Sequence, residues 1–311
     1  MEPIEKLLKN DRPFLTDGGF ETWLFFQQGF EAPEFAAIML MENENAQRAM
    51  RSYFEEFFKM AESAKTGFVL DTNTWRGCTK WADSLGVSQE DLLTLSKKAV
   101  TFASNLKAEW QHRVSPILVN GVIGPSGDGY SPDQTPDPVT AEKLHTPQMK
   151  IFAESEVDMV SALTITNIDE AIGITNAAKL FNLPIVISFT VEINGCIPTG
   201  QSLGEAIKAV DEATNNSPIY YMVNCAHPDH FGGSLKTDAD WLARIGGLRA
   251  NASRMTHEEL DNSEVLDEGN PEEFGLLHNE IAKGLDNLHA IGGCCGTDHR
   301  HIKAIAGHLL A

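Results

Sequence analysis

The amino-acid sequence predicts an α/β protein that folds as a (β/α)8 TIM barrel. Eight short apolar runs alternate with amphipathic stretches, and strands alternating with helices are typical of a parallel sheet. The chain has 311 residues, and such a barrel typically needs about 250. Polar, Gly-rich and Cys-rich segments directly follow several of the runs. A barrel gathers the ends of all its strands on one face, so these segments would form one site.

The eight apolar runs are the predicted strands. Each is rich in β-branched residues or is flanked by Gly or Pro, as is typical of short buried strands. A doubly wound open sheet is the alternative, because periodicity alone does not separate it from a closed barrel. In chain order the runs are residues 14–16, 67–70, 116–122, 157–165, 184–191, 219–223, 245–248 and 287–291.

Amphipathic stretches between the strands predict the helices. Asn270 stands before Pro271 in the position of a helix N-cap. The segment from Asp298 to His301 predicts the first turn of a final helix. Apolar residues recur at i, i+3 and i+4 in residues 50–64, 90–111, 202–214 and 271–285.

We expect one domain over residues 1–311, because no linker, low-complexity tract or strong repeat interrupts the alternation. The longest predicted loop covers residues 124–138. Its Gly, Pro and Asp residues indicate a surface loop. Its place after the third strand predicts that it lies over the site.

Charge and hydropathy exclude two classes of partner. The net charge is −20, whereas nucleic-acid binding needs clustered Lys and Arg. No apolar run approaches the ~20 residues that span a bilayer, and the N-terminus lacks the basic-then-apolar order of a secretion signal. We therefore expect a cytoplasmic protein with small-molecule substrates, and an oligomer is possible.

Three of the five cysteines predict a metal site. Five cysteines are too few and odd in number for a disulfide framework. Cys225 follows the sixth strand, whereas Cys294 and Cys295 follow the eighth within a Gly-Gly-Cys-Cys-Gly motif. The flanking glycines allow the sharp bend that brings both neighbours to one ion. Three thiolates fill three positions of a tetrahedral Zn²⁺ site and leave the fourth for substrate.

Other interpretations of these residues remain open. The cysteines can be packed strand-end residues, and an adjacent pair can act as a redox switch, although a vicinal disulfide is strained. His227 is a rival ligand, but an exposed loop histidine fits its place beside Pro228 better. The remaining cysteines, Cys78 and Cys196, are interpreted as ordinary thiols.

A zinc site with an open position predicts thiol chemistry. Coordination lowers the pKa of a substrate thiol and keeps it as a thiolate. A thiolate attacks a methyl group on a cationic sulfur or nitrogen, and this displacement needs positioning and exclusion of water more than acid–base groups. The cysteines therefore predict methyl transfer from a cationic sulfonium or ammonium donor to a small thiol.

Over nearly its whole length the chain resembles the homocysteine S-methyltransferase family. That family includes betaine–homocysteine and S-methylmethionine–homocysteine methyltransferases. The resemblance implies a (β/α)8 barrel, zinc bound by Cys225, Cys294 and Cys295, and homocysteine as the acceptor that becomes methionine. Its motifs here are LTDGGFET from Leu15, TNTW from Thr72, GVIGP from Gly121, SFT from Ser188, VNC from Val223 and GGCCGT from Gly292.

The resemblance also implies substrate-binding residues. Asp17 would hold the ammonium group of the amino acid, and the turn at Gly18 and Gly19 would offer backbone N–H groups to its carboxylate. Independently of the family, a carboxylate at a strand end can face a cation and exposed N–H groups can bind an anion. A plain surface turn is the alternative. Asn224, from the Asn-Cys motif, and Trp75 complete the predicted set.

One position departs from the family pattern. After the fourth strand the family carries a Glu that also binds the ammonium group, and Leu163 stands there in this chain. Three outcomes are open: Asp17 suffices, Thr166 or Asn167 compensates, or the acceptor is another thiol or selenol. The last includes methyl transfer to or from a different sulfonium substrate. For the function as a whole, a further alternative is a non-catalytic barrel that binds zinc or responds to oxidation.

Aromatic faces shelter a cationic methyl group, and several aromatic residues are candidates for this role. Trp75 is the best placed, because it directly follows Asn73 and Thr74 at the second strand end. The other candidates are Phe20, Trp23, Tyr130 and Tyr221.

Overall fold

The protein is described by a computed structural model that covers residues 3–130 and 135–310. Eight parallel strands form a closed barrel whose spatial order is the chain order. The strands are β1 Phe14–Leu15, β2 Phe68–Asp71, β3 Ile117–Ile123, β4 Met159–Ile165, β5 Ile185–Phe189, β6 Tyr220–Asn224, β7 Ile245–Ala250 and β8 Ala290–Gly293.

The predicted (β/α)8 barrel is confirmed, and each of the eight predicted runs overlaps a strand. The open-sheet alternative is wrong, because β8 pairs with β1 and closes the sheet. In that pairing Phe14 lies opposite Ala290 and Leu15 lies opposite Ile291. Strands β1 to β8 are buried along their whole length, which explains why they are apolar on both faces.

Helices surround the barrel. The side chain of Asn43 accepts hydrogen bonds from the N–H groups of Asn45 and Ala46 and so begins a helix at Glu44. The sequence predicted that this helix begins at residue 50, because apolar residues do not recur at i, i+3 and i+4 in residues 44–49. Including a short N-terminal helix, the longer helices are Pro3–Lys9, Glu44–Ala64, Gln89–Trp110, Pro138–Ala153, Ile168–Leu180, Leu203–Thr214, Pro271–Ala282 and His299–Leu309.

The predicted cap at Asn270 and the predicted final helix after Asp298 are confirmed. Asn270 accepts hydrogen bonds from the first turn of Pro271–Ala282, and Asp298 does the same for His299–Leu309. The former helix ends at Ala282 rather than at residue 285, because the chain turns at Lys283 to reach β8.

The barrel interior is layered. Leu7 of the N-terminal helix packs beside Phe14 in the apolar cluster within the barrel, at the amino ends of the strands. Towards the carboxyl ends the interior becomes polar: Asn120 donates to Asp71 over 2.7 Å and Ser161 donates to Asn120 over 3.0 Å. This change from apolar to polar places the site at the carboxyl end, as is usual for such barrels.

The predicted loop after β3 is partly described. Residues 124–130 and 135–137 precede the helix Pro138–Ala153, and residues 131–134 lie outside the described residues. Within the described part of the chain, no helix is both long and apolar enough to cross a bilayer.

Candidate metal centre and substrate cavity

The three predicted ligand cysteines lie together. Cys225 follows β6 directly, and Cys294 and Cys295 follow β8, so closure of the barrel brings them to one rim. Their three Sγ atoms all lie within 4.8 Å of one another. The Sγ atoms of Cys225 and Cys294 are in bonding contact, with 5.5 Å between the Cα atoms. Across residues 3–130 and 135–310, this is the one group of His, Cys, Asp or Glu side chains spaced to hold a metal ion.

Left-handed backbone conformations aim two residues at the centre. Cys225 has φ of 52° and Thr164 has φ of 62°, a region that costs about 1–3 kcal/mol for residues other than glycine. The register of β4 against β5 shifts at the same point as Thr164. The Thr164 hydroxyl then lies 3.4 Å from the Cys225 Sγ as a donor. The strain is therefore concentrated beside the thiol cluster.

The Asn224 side chain stabilises the strained Thr164. Its Oδ1 accepts hydrogen bonds from the Thr164 N–H at 2.9 Å and from the Ser188 hydroxyl at 2.7 Å. Its Nδ2 donates to the Thr164 hydroxyl at 2.9 Å and lies 3.8 Å from the Cys294 Sγ. Predicted as a substrate-binding residue, Asn224 thus joins the ends of β4, β5 and β6 beneath the cysteines.

The glycines around Cys294 and Cys295 allow close packing as well as bending. A Cβ atom on Gly292 would collide with the Thr16 side chain, and one on Gly293 would collide with the Thr297 side chain. Gly296 has φ of 77°, which is the conformational freedom that the sequence predicted for this turn. The cysteine turn therefore lies directly against the end of β1.

A cavity of about 400 Å³ opens above the cysteines. This volume is in the range of small-molecule sites. The cavity is lined by all eight residues predicted as metal or substrate ligands, namely Asp17, Gly18, Gly19, Trp75, Asn224, Cys225, Cys294 and Cys295.

Asp17 forms a buried ion pair that the sequence did not predict. Arg249, on β7, donates from Nη2 to the Asp17 Oδ1 at 2.5 Å and from Nη1 to Asp71. Burial raises the pKa of Asp17 to about 7 although the Arg249 charge opposes this. The neighbouring carboxylates raise the pKa of Arg249 above its ordinary value in spite of burial. The one feature of the sequence that pointed to this ion pair was Arg249 itself, a lone charged residue at the end of the apolar seventh strand.

The Asp-Gly-Gly turn also makes contacts within the protein. The Gly19 N–H donates to the Thr297 carbonyl at 2.9 Å and to its hydroxyl at 3.1 Å. A Cβ atom on Gly19 would collide with the Cys294 carbonyl. This N–H group is therefore already bonded, and the turn holds β1 against the cysteine turn.

The other predicted side chains divide between the cavity and the core. Trp75 donates from Nε1 to the Leu163 carbonyl at 3.2 Å, and Leu163 itself lines the cavity. Phe20 and Tyr130 also line it. Trp23 instead packs on Tyr53 at 4.6 Å between ring centroids, outside the cavity lining.

Tyr221 and the residues proposed to compensate for Leu163 do not reach the cavity. The Tyr221 hydroxyl donates to Asp211 at 2.8 Å, between β6 and the helix Leu203–Thr214. Asn167 caps the helix Ile168–Leu180. Thr166 is likewise buried away from the cavity lining.

Tyr130 and His257 support the cysteines from the loop side. Their rings stack at 4.2 Å between centroids, 14° from parallel. The Tyr130 hydroxyl lies 3.7 Å from the Cys295 Sγ as a donor, and the His257 Nε2 lies 3.0 Å from the Cys225 carbonyl oxygen. His257 has no sequence motif, so its contribution emerges only from the fold.

Arg76 shapes the cavity mouth. Its guanidinium lies 4.2 Å from the Trp75 ring centroid and 3.9 Å from that of Trp81. It donates to the carbonyls of Glu34 and Gly127, both at 3.3 Å. These contacts join the segment after β1 to the loops after β2 and β3.

His227 is not part of the thiol cluster. Its Nδ1 accepts a hydrogen bond from the Asp229 N–H at 3.1 Å and caps the short helix Pro228–Phe231. The expectation of an exposed histidine is wrong, since only 3% of its surface is exposed. Burial lowers its pKa to about 4, so the imidazole is neutral at physiological pH.

Comparison with known proteins identifies the family. The profile of the homocysteine S-methyltransferase family matches residues 14–309. The chain belongs to the homocysteine S-methyltransferase family. It is therefore a methyltransferase, which argues against the predicted alternative of a non-catalytic barrel.

Relatives of the chain cover it almost completely. Homocysteine S-methyltransferase 1 of Brassica oleracea is 24% identical over 95% of this chain and 93% of its own. The oxidised form of the homocysteine methyltransferase MmuM from Escherichia coli has the same fold, with a TM-score of 0.75, 16% identity and 99% coverage of both chains. The metallated form of MmuM gives a TM-score of 0.74 at 17% identity, covering 98% of this chain and 99% of its own.

Proposed function

We propose that this methyltransferase binds Zn²⁺ through Cys225, Cys294 and Cys295 and methylates the thiol of homocysteine to give methionine. The observation that carries the proposal is the placement of three Sγ atoms within 4.8 Å of one another at the wall of a cavity of about 400 Å³. The methyl group would come from a cationic sulfonium or ammonium donor.

The thiol cluster fits zinc. With Zn–S bonds of about 2.3 Å, tetrahedral geometry separates the sulfurs by about 3.8 Å, and the three Sγ atoms lie within 4.8 Å of one another. Cys225 and Cys294, whose Sγ atoms are in bonding contact, would bind the ion as thiolates in the reduced protein. The cavity beside them leaves room for a fourth ligand from the substrate. When bound, zinc would lower the pKa of the acceptor thiol so that it reacts as a thiolate at neutral pH.

The residues around the cysteines would orient that thiol. The hydroxyls of Tyr130 and Thr164 lie within donor distance of the Sγ atoms of Cys295 and Cys225. Hydrogen bonds of this kind hold metal ligands in place. Because Trp75 and Phe20 form apolar parts of the cavity wall, they would exclude water from the displacement and favour an in-line approach of the methyl group.

The charge of the cavity supports a cationic donor. Two arginines face seven carboxylates, so the lining carries a net negative charge that attracts cations. The exposed rings of Phe26 and Phe35 stand at the mouth, where a sulfonium or quaternary ammonium group can lie against an aromatic face. The charged residues are Arg76 and Arg249, and Asp17, Glu21, Glu34, Asp71, Asp128, Asp261 and Asp267.

The test is a matrix of acceptors and donors. Zinc-loaded protein is incubated with homocysteine and other small thiols against betaine, S-methylmethionine and further sulfonium donors, and methylated products are measured by mass spectrometry. Methionine is the expected product. Loss of stoichiometric zinc and of product in Cys225→Ser, with both retained in Cys196→Ser, would support the ligand set. No methylated thiol in any combination would refute the function.

Two features support a second candidate, methyl transfer to or from a different thiol, selenol or sulfonium. Leu163 supplies no charge in the cavity wall, and Asp17 is already paired with Arg249. A thiol without an ammonium group would need neither a free Asp17 nor a Glu at the position of Leu163. Preference for such an acceptor over homocysteine in the same matrix would favour this candidate.

A further inference from the structure

Glu21 is a cavity carboxylate whose charge no neighbouring cation neutralises directly. It lies in the short helical turn that follows Gly18 and Gly19, and its side chain lines the cavity. Within the described parts of the chain, its carboxylate has no ion pair or side-chain hydrogen bond. Asp17, in contrast, is bonded to Arg249.

The surroundings of Glu21 place it beside both the thiol cluster and the buried ion pair. The turn that carries it contacts the cysteine turn, because the Thr22 hydroxyl accepts a hydrogen bond from the Gly296 N–H at 3.1 Å. Glu21 also interacts electrostatically with Asp71 and Arg249. Glu21, the cysteines and Leu163 thus line one cavity.

The local charges leave a negative surplus. Asp17, Asp71 and Glu21 are three carboxylates, and two guanidinium groups, those of Arg249 and Arg76, act on them. Burial raises the pKa of Glu21 to about 7, because an unpaired carboxylate is poorly solvated in the cavity wall. A bound cation would offset this desolvation and stabilise the ionised form.

We infer that Glu21 binds the ammonium group of the acceptor amino acid, replacing the charge that Leu163 lacks. The inference rests on the proposed function and names the residue that selects an amino-acid thiol. Glu21 is assigned to the acceptor because the turn that carries it lies directly against the cysteine turn at Cys294 and Gly296, beside the sulfurs that the acceptor must approach. The donor enters from the mouth, which is lined by Phe26 and Phe35.

The experiment compares two acceptors in two variants. Homocysteine carries an ammonium group, and 4-mercaptobutyrate has the same chain without it. Glu21→Gln keeps the size of the side chain and removes its charge. Glu31→Gln removes a charge from an exposed residue that does not line the cavity and serves as the control. Dissociation constants are measured by calorimetry on zinc-loaded protein, and KM and kcat are measured with a saturating donor.

We expect Glu21→Gln to raise the KM and Kd for homocysteine about 10- to 100-fold, because the ammonium group loses one hydrogen bond to a charged partner. The constants for 4-mercaptobutyrate and the KM of the donor should stay within about twofold of wild type. The Glu31→Gln protein should match wild type with both acceptors. Melting curves of zinc-loaded protein confirm that each variant is folded.

The possible results separate the inference from the proposed function. If wild type methylates homocysteine and Glu21→Gln keeps the same preference between acceptors, the inference is overturned and the function stands. If wild type prefers 4-mercaptobutyrate, the inference is also overturned, although methyl transfer to a thiol stands. If wild type methylates neither acceptor, the proposed function fails and the inference fails with it.

Discussion

Asp17 and Arg249 form a buried ion pair, with 2.5 Å between Oδ1 and Nη2. The pair joins β1 to β7 across the carboxyl end of the barrel, and Asp71 of β2 contacts the same guanidinium. Because the Arg249 side chain is only 7% exposed, its removal would leave two carboxylates buried without their cation. The cavity floor therefore depends on this arginine.

Substitution Arg249→Met should lower the free energy of unfolding by about 3–5 kcal/mol near pH 7.5, since it breaks a buried charge cluster by removing one partner. Urea denaturation of reduced, zinc-free protein measures the change. Arg244→Met is the matched control, because Arg244 pairs with Asp211 at a more exposed position. Arg244→Met should lower the free energy of unfolding by less than Arg249→Met does. Equal decreases in both variants would contradict this account of Arg249.

Substitution Asn224→Ala should weaken zinc binding about 10- to 100-fold, the usual effect of losing a residue that orients metal ligands. Without the amide, Thr164, which has a left-handed backbone and contacts the Cys225 Sγ, loses the hydrogen bonds that hold it. Competition with a chromophoric chelator measures the affinity. Asn120→Ala removes another buried amide of the barrel, one that bonds to Asp71 and not to Thr164. The Asn120→Ala protein should keep the zinc affinity of wild type. An equal decrease of zinc affinity in both variants would argue against a specific role of Asn224.

Oxidation should link Cys225 to Cys294 and abolish zinc binding. Their Cα atoms lie 5.5 Å apart, a separation that a disulfide spans, and a disulfide cannot serve as a pair of thiolate ligands. Diamide treatment followed by peptide mapping identifies the bond, and dithiothreitol should restore stoichiometric zinc. Cys295→Ser should still form the bond, whereas Cys225→Ser should not. A dominant Cys294–Cys295 bond in the oxidised protein would disprove this pairing.

The raised pKa of Glu21, about 7, predicts how stability changes with pH. In the folded state this carboxyl holds its proton more tightly than in the unfolded chain, whose ordinary pKa is 4.5. The folded state therefore binds more protons between these values, and its stability falls as pH rises from about 4.5 to 7. The contribution of the protonated Glu21 carboxyl to the stability of the fold is fully present below pH 4.5.

Glu21→Gln removes this dependence, because glutamine does not titrate. The variant should have a higher melting temperature than wild type at pH 8 and nearly the same one at pH 5. Melting curves of reduced, zinc-free protein at the two values test this, with Glu31→Gln expected to match wild type at both. A lower melting temperature for Glu21→Gln at pH 8 would show that the carboxylate is stabilised by a partner in the folded protein.

The eight strands and the grouping of the cysteines could be predicted because they depend on local pattern. Apolar runs such as residues 219–223 and 245–248 carry their own signal in composition and length. Once the alternation implies a closed barrel, Cys225 and Cys294 fall on the same rim through topology alone. The cap at Asn270 and the start of the final helix near Asp298 were also predictable, because a cap lies next to the helix it begins.

The electrostatic organisation of the cavity was decided by the tertiary structure. Arg249 meets Asp71 across 178 residues and Asp17 across 232, and no short-range pattern predicts such a contact. The same holds for the stacking of Tyr130 on His257.

The sequence alone therefore determined the barrel and the three thiols, because strand patterns and motifs are properties of neighbouring residues. Which carboxylate is neutralised and which stays free depends on where side chains meet in three dimensions. Only the structure shows that Arg249 engages Asp17 and leaves Glu21 facing the cavity. The physical reason is that charge pairing depends on distance through space, which the order of residues does not contain.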